Sequence, residues 1–120
     1  MFKSLSVIIP VFNEKNTIKE CLKRVLDANT CGLELDIVIS DNNSNDGTKE
    51  ILNSLNNDKI KCYFRDINKG KGANIKNALK FAKGDLILFQ DADLEYHPEN
   101  FPNLINPFLN PLFLKINYGV

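Results

Sequence analysis

The sequence lacks an excess of charge of either sign, and it lacks any long apolar run. Lysine and arginine together number 15, as do aspartate and glutamate, so the formal net charge is zero. A balanced charge creates no broad positive field, so we expect no nucleic-acid partner. No apolar stretch reaches the roughly 18 residues that a transmembrane helix needs, and we expect no transmembrane segment.

Cysteine is scarce, and the three cysteines form no C-x-x-C pair. Cys21 and Cys62 fall on apolar positions of a predicted helix and a predicted strand, which favours reduced, buried thiols over a disulfide framework. The amino terminus has no apolar stretch of the length and flanks that a secretory signal peptide needs. Together these absences predict a cytoplasmic protein.

What the sequence does have is a series of short apolar runs that alternate with segments of helical periodicity. The predicted strands are LSVIIPVF (5–12), LDIVIS (35–40), IKCYF (60–64) and DLILFQ (85–90). Because helices are predicted between them, the order predicts an α/β fold, a three-layer α/β/α, Rossmann-like, mainly parallel sheet. The continuous apolar runs predict strands covered on both faces, whereas residues 60–64 alternate like a half-exposed or edge strand. Gly84 is predicted to end the third helix.

Two aspartates, Asp91 and Asp93, directly follow the most apolar predicted strand. In parallel sheets, ligands bind beyond the carboxyl ends of the strands. Two carboxylates this close repel each other, and a divalent cation between them would remove that penalty. Oxygen ligands suit Mg²⁺ or Mn²⁺, and Mg²⁺ often completes its shell with substrate phosphates. A structural turn is the alternative for this pair.

The second strand ends in DNNSNDGT, residues 41–48. Asp41, at the end of the strand, is predicted to accept hydrogen bonds from a base or a ribose. Asp46, Gly47 and Thr48 are typical of a tight strand-to-helix turn, with Asp46 or Thr48 as the helix cap.

The segment NKGKGAN, residues 68–74, opens the third helix. It lacks both the phosphate-binding loop pattern G-x-x-x-x-G-K-[ST] and the third glycine of a dinucleotide fingerprint. Its two glycines, with Lys69 and Lys71, still suit a phosphate or a ribose at a helix amino terminus. A flexible basic turn is an equally good interpretation. His97, the single histidine, is interpreted as a surface residue rather than a base.

Four segments together resemble a known family. These are SVIIPVFNE, DIVISDNNSNDGT, NKGKGANIKNAL and GDLILFQDADLEYHPE, in this order. They resemble the amino-terminal half of the inverting family-2 glycosyltransferases of GT-A fold, over about residues 4–106. The QDADLEY segment is most similar to the dolichyl-phosphate or polyprenyl-phosphate sugar synthases.

The resemblance implies roles for residues that follow the strands. The implied nucleotide-sugar-binding residues are Pro10, Val11, Asn13, Glu14, Asp41, Asn42, Asn68, Gly70, Lys71, Gln90 and Asp91. Asp41 would contact the base, and Asn42 stands where most relatives carry a second aspartate, which leaves the base preference open. Asp91 and Asp93 would hold Mg²⁺ or Mn²⁺.

The implied function is transfer of a sugar from a UDP- or GDP-linked donor to an acceptor, with a polyprenyl phosphate as the candidate acceptor. This function would place the protein in the cytoplasm or peripherally at the cytoplasmic membrane face. Residues 1–106 are interpreted as the nucleotide-sugar-binding half of a truncated GT-A domain, and residues 107–120 as an apolar tail with a remnant strand. Family members carry the acceptor residues in a second half, so no catalytic residue is assigned. The alternative is a catalytically silent module that binds nucleotide sugar or forms a homo-oligomer.

Overall fold

The computed structural model describes residues 2–95 and 97–109. Strands and helices alternate along the chain, with a 3-10 turn, Pro98–Asn100, leading into the last helix. The elements are β1 (Ser4–Val11), α1 (Ile18–Asp27), β2 (Glu34–Asp41), α2 (Thr48–Asn53), β3 (Ile60–Phe64), α3 (Lys71–Leu79), β4 (Leu86–Phe89) and α4 (Phe101–Leu109). The predicted order is therefore confirmed.

The four strands form one parallel sheet in the order β3-β2-β1-β4. Val7 of β1 pairs with Ile37 of β2 on one side and with Leu88 of β4 on the other. β1 and β2 are the central strands, and their apolar side chains are buried. β3 lies at one edge, as its alternating pattern predicted, and β4 lies at the other edge of the described sheet.

Helices cover both faces of the sheet, which confirms the three-layer architecture. Val7 and Ile9 of β1 pack in a large cluster with Val25 of α1 and Ile105 of α4. Ile8 points to the opposite face, because successive strand residues alternate. There it packs with Ala78 of α3 in a smaller cluster.

β4 departs from the prediction that both faces of an apolar strand are covered. Leu86 and Leu88 pack against the large cluster, but Ile87 is 41% exposed and Phe89 is 57% exposed. These two residues share the face of α3, since Phe89 pairs with Ile8. α3 packs over β1 and β2 and leaves this part of the β4 face open. Among the described residues, β4 is thus an edge strand with one exposed face.

Gly84 does not end the third helix, because α3 ends at Leu79. Instead, Gly84 packs against β1, where a Cβ atom at this position would lie 2.4 Å from the backbone nitrogen of Ser6. Its own N–H donates to Ser6 Oγ at 2.8 Å. The glycine is required by close backbone approach rather than by a helix cap.

The described cysteines are free thiols, in agreement with the expectation from the sequence. Burial raises the pKa of Cys21 to about 12 and that of Cys62 to about 11. Both thiols are therefore protonated at neutral pH.

α4 runs through Pro102 and Pro107, so the predicted domain boundary after residue 106 falls inside a helix. The remnant strand predicted within residues 107–120 lies outside the described residues, which end at Leu109. Within residues 2–95 and 97–109, no helix has the length and apolar character required to cross a bilayer.

Candidate functional site

A cavity of about 330 Å³ opens at the carboxyl ends of β1, β2 and β4. Its walls come from the segments that follow these strands and from the start of α3. The lining residues are Pro10, Val11, Phe12, Glu14, Asn42, Asn68, Gly70, Lys71, Asn74, Asp91, Ala92 and Asp93. Most residues that the sequence singled out are therefore brought together, but Asn13, Asp41 and Gln90 are not among the lining residues.

The two aspartates line the same cavity. Asp91 Oδ1 accepts a hydrogen bond from Lys71 Nζ at 2.9 Å, and Asp93 Oδ1 accepts one from the Glu95 backbone N–H at 3.1 Å. Leu94, which lies between Asp93 and Glu95, has φ of 69°, a strained value for a residue with this side chain. Strained backbone of this kind concentrates at functional sites.

The backbone of Asp91 is held from two sides. Gln90 Nε2 donates to the Asp91 carbonyl at 3.1 Å, and the Cys21 thiol donates to the same carbonyl at 3.7 Å. Gln90 is 3% exposed. These contacts give Gln90 and Cys21 a positioning role beneath the acidic pair.

Asp41 is buried and is not among the residues that line the cavity. Its side chain is fully buried, and its two oxygens accept from the hydroxyl and the backbone N–H of Ser44, at 2.6 and 3.0 Å. Ser44 Oγ in turn accepts from the Asn13 backbone N–H at 2.8 Å. Asn13 Oδ1 accepts from the Asn45 backbone N–H at 2.8 Å. Asp41 and Asn13 thus order the loops after β1 and β2.

Asn42, the next residue, does line the cavity and is 3% exposed. Its Nδ2 donates to Asn68 Oδ1 at 2.8 Å and to the Gly70 carbonyl at 3.3 Å. Its Oδ1 is buried, and within the described part of the chain it has no hydrogen-bond partner. Buried acceptors without a partner are rare and call for an explanation such as a ligand or water.

The turn before α2 has a different hydrogen-bond pattern from the predicted cap. Gly47 is the N-cap residue, with φ of 107°, and no side-chain cap bond is made. Asp46 Oδ1 instead accepts from the Thr48 N–H at 3.0 Å, and Thr48 Oγ1 accepts from the Glu14 N–H at 3.0 Å. The turn therefore ties α2 to the loop that carries Glu14.

Three lining residues, Phe12, Asn74 and Ala92, were not singled out as site residues from the sequence. Asn74 is 1% exposed, and it exchanges hydrogen bonds with Ser40: Ser40 Oγ donates to Asn74 Oδ1 at 2.6 Å, and Asn74 Nδ2 donates to the Ser40 carbonyl at 2.8 Å. This pair fixes the start of α3 against β2. The available signal was a polar residue one turn before Ala78, on the apolar face of the helix. Phe12 is an exposed aromatic side chain directly after a strand.

The chain resembles known proteins over most of its length. Residues 6–113 match the family model described as Glycosyl transferase family 2. A dolichol-phosphate mannosyltransferase of Pyrococcus furiosus is 36% identical over 107 residues, which cover 88% of this chain and 30% of that protein. The chain spans about a third of the length of the curated relatives that it matches.

Solved structures share the GT-A, Rossmann-like fold of this sheet. S. aureus TarS in complex with UDP-GlcNAc has a TM-score of 0.72 and 28% identity, covering 88% of this chain and 31% of that one. The mannosyltransferase PcManGT from Pyrobaculum calidifontis, in complex with GDP-Man and Mn²⁺, has a TM-score of 0.70 and 23% identity, covering 92% of this chain and 34% of that one.

Proposed function

The chain belongs to glycosyl transferase family 2, and from this premise we propose that it binds a UDP- or GDP-linked sugar in the cavity at the carboxyl ends of the strands. The bound sugar would be transferred to an acceptor, with a polyprenyl phosphate as the candidate. The observation that carries the proposal is the buried Asn42 Oδ1, an acceptor without a partner in the described structure. Asn42 lines the same cavity as Asp91 and Asp93.

Asn42 would recognise the base. Its Nδ2 is already used by Asn68 and Gly70, so its Oδ1 is the atom left to meet a ligand. Uracil and guanine both present ring N–H donors, which would satisfy this acceptor. Because both bases carry such a donor, the proposal keeps UDP- and GDP-linked sugars together.

Gly70 and Lys71 would face the diphosphate. They lie at the amino terminus of α3, where backbone N–H groups and the helix dipole favour an anion. Asn68 and Asn74 hold this corner in place, because Asn68 Oδ1 accepts from the Gly70 N–H at 2.8 Å and the Asn74 N–H donates to the Gly70 carbonyl at 3.1 Å.

Asp91 and Asp93 fit a divalent cation of the kind that uses few protein ligands. No group of three or more acidic, histidine or cysteine side chains suited to a metal occurs within residues 2–95 and 97–109. Two carboxylates beside a diphosphate pocket suit Mg²⁺ or Mn²⁺, which accept water and phosphate oxygens as further ligands. When bound, such a cation would stabilise the charge that develops on the departing nucleoside diphosphate.

The acceptor would attack the anomeric carbon as the bond from that carbon to the diphosphate oxygen breaks. A polyprenyl phosphate is anionic at neutral pH, so its oxygen needs no general base. For this reason no side chain of the chain is assigned as a catalytic base. Use of a polyprenyl phosphate would also bring the protein into peripheral contact with a membrane.

A silent module that binds nucleotide sugar or forms a homo-oligomer is the second candidate. Within the described residues, β4 is an edge strand that also exposes Ile87 and Phe89, and this favours the second candidate, because an uncovered strand edge invites pairing with another copy. Turnover of a nucleotide sugar with a polyprenyl phosphate would exclude the silent alternative, and light scattering would give the oligomeric state.

The donor site is tested by calorimetry with UDP-glucose and GDP-mannose, each with and without Mn²⁺. We expect one donor to bind with metal dependence. The double variant Asp91→Ala, Asp93→Ala should weaken the metal-dependent binding about 10- to 100-fold, because charge-assisted contacts are removed. The matched control is Asp58→Ala, Asp66→Ala, which removes two exposed aspartates outside the cavity. If neither donor binds in the presence of Mn²⁺, the proposal is defeated.

A further inference from the structure

An ion pair crosses the cavity between two of its walls. Lys71 is the first residue of α3, and Asp91 follows β4, yet Lys71 Nζ lies 2.9 Å from Asp91 Oδ1. The Asp91 side chain is 27% exposed and the Lys71 side chain is 65% exposed. The lysine therefore reaches the aspartate from the solvent side of the cavity.

This pair places a positive charge on one of the two carboxylates proposed for the cation. A divalent cation at Asp91 and the ammonium of Lys71 would repel each other, because both would be held within a few ångströms of the same carboxylate. Exposed ion pairs of this kind contribute little stability, so the lysine can be exchanged at small cost.

A diphosphate in the same cavity would give the displaced ammonium a new partner. Lysine has a flexible four-carbon stem and three donors that can rotate, so it can move from a carboxylate to a phosphate without backbone motion. Gly70 and Lys71 both line the cavity, and they lie at the amino terminus of α3, where an anion is favoured.

We propose that Lys71 is a resident counter-ion of Asp91 that yields to the divalent cation when a diphosphate is present to receive its ammonium. This inference rests on the proposed function and adds to it that cation and nucleotide bind with positive coupling. The coupling is reciprocal, so the nucleotide raises the affinity for the cation by the factor by which the cation raises the affinity for the nucleotide.

The test is Mn²⁺ binding, measured by the electron paramagnetic resonance signal of free Mn²⁺, with and without UDP and with correction for Mn²⁺ held by free UDP. Lys71→Met should bind Mn²⁺ alone about two- to fivefold more tightly than the natural chain, the range expected for an exposed ion pair. The same variant should show a smaller coupling factor between Mn²⁺ and UDP. Lys71→Arg keeps the charge and should bind Mn²⁺ alone like the natural chain.

Lys69→Met is the matched control, because Lys69 is exposed two residues before Lys71 and does not line the cavity. It should leave Mn²⁺ binding unchanged. If the natural chain binds Mn²⁺ with UDP but Lys71→Met binds Mn²⁺ alone no more tightly, the counter-ion inference is overturned and the proposed function stands. If the natural chain binds neither UDP nor Mn²⁺, both fall together.

Discussion

The two ends of the parallel sheet differ in how their polar groups are satisfied. At the amino end, the Asp85 carboxylate accepts from the backbone N–H groups of Lys3 and Ser4, at 2.7 and 3.2 Å, and the Asp85 N–H donates to Ser4 Oγ at 3.1 Å. These hydrogen bonds pair the polar groups of Asp85 with those of Lys3 and Ser4. At the carboxyl end, Asn42 Oδ1 is buried without a partner in the described structure, and an exposed lysine neutralises Asp91.

Under the proposed function, this difference separates a structural end from a binding end. Buried polar groups in a folded protein are almost always paired, so the unpaired Asn42 Oδ1 calls for a partner. A ligand in the cavity would supply that partner. In open α/β sheets, ligands bind at the carboxyl ends of the strands.

The largest expected effect comes from the amino end. Gly84→Ala should lower the free energy of unfolding by about 1–3 kcal/mol, because the added Cβ would lie 2.4 Å from the Ser6 backbone nitrogen and the strands would have to shift. Chemical denaturation measures the change. Nucleotide binding by the folded variant should remain, since the cavity lies at the other end of the sheet.

Gly72→Ala is the matched control for this substitution. A Cβ at Gly72 meets no atom within 4 Å, and the residue lies in α3 with ordinary helical geometry. Alanine should therefore stabilise the chain by about 0.5–1 kcal/mol. Equal destabilisation by both substitutions would show that close packing at Gly84 is not the cause.

The next largest effect is expected at the carboxyl end, where a substitution should weaken ligand binding and change stability little. Asn42→Ala should weaken binding of the nucleotide sugar about five- to tenfold, the equivalent of one lost hydrogen bond. Unfolding free energy should change by less than about 1 kcal/mol, because Asn68 and Gly70 are exposed and water can replace the amide. Calorimetry and denaturation on the same preparation measure both quantities.

Asn45→Ala is the control for Asn42, since Asn45 is an exposed residue of the same loop. It should alter neither binding nor stability. A loss of stability in Asn42→Ala with unchanged binding would assign Asn42 to the structure of the loop and would remove the contrast between the two ends.

The alternation of strands and helices could be predicted because each element carries its own periodicity. The loops at the carboxyl ends followed from the same pattern, and most of the cavity residues lie in them. The exposure of Ile87 and Phe89 could not be predicted, because the sequence of β4 alone does not determine its position in the strand order. That place depends on pairing with β1, about 80 residues away in the chain.

The position of Asp41 outside the cavity lining has a local cause. A carboxylate at the end of a strand can face a ligand or accept from its own loop, and the sequence does not distinguish these by position alone. Here Ser44, three residues later, donates to both oxygens. The Lys71–Asp91 pair has the opposite character, because 20 residues separate its members and only the folded sheet brings them together.

The smallest effect is expected when the charge of Asp85, at the amino end, is removed. The hydrogen bond from the Lys3 N–H lowers the pKa of Asp85 below its usual value. A depressed pKa in the folded state stabilises the fold at pH values above the unfolded pKa, and this stabilisation is lost as pH falls through the folded value. Asp85→Asn, which keeps an acceptor and removes the charge, should therefore melt slightly below the natural chain at pH 7.

The difference in melting temperature between the natural chain and Asp85→Asn should shrink as the pH falls below about 4, because the natural carboxyl becomes protonated there. Asp66→Asn, at an exposed aspartate of the β3–α3 loop, gives the general effect of removing one surface charge. A difference that persists unchanged down to pH 2.5 would mean that the shape of the Asp85 side chain, rather than its charge, holds the amino ends of β1 and β4 together.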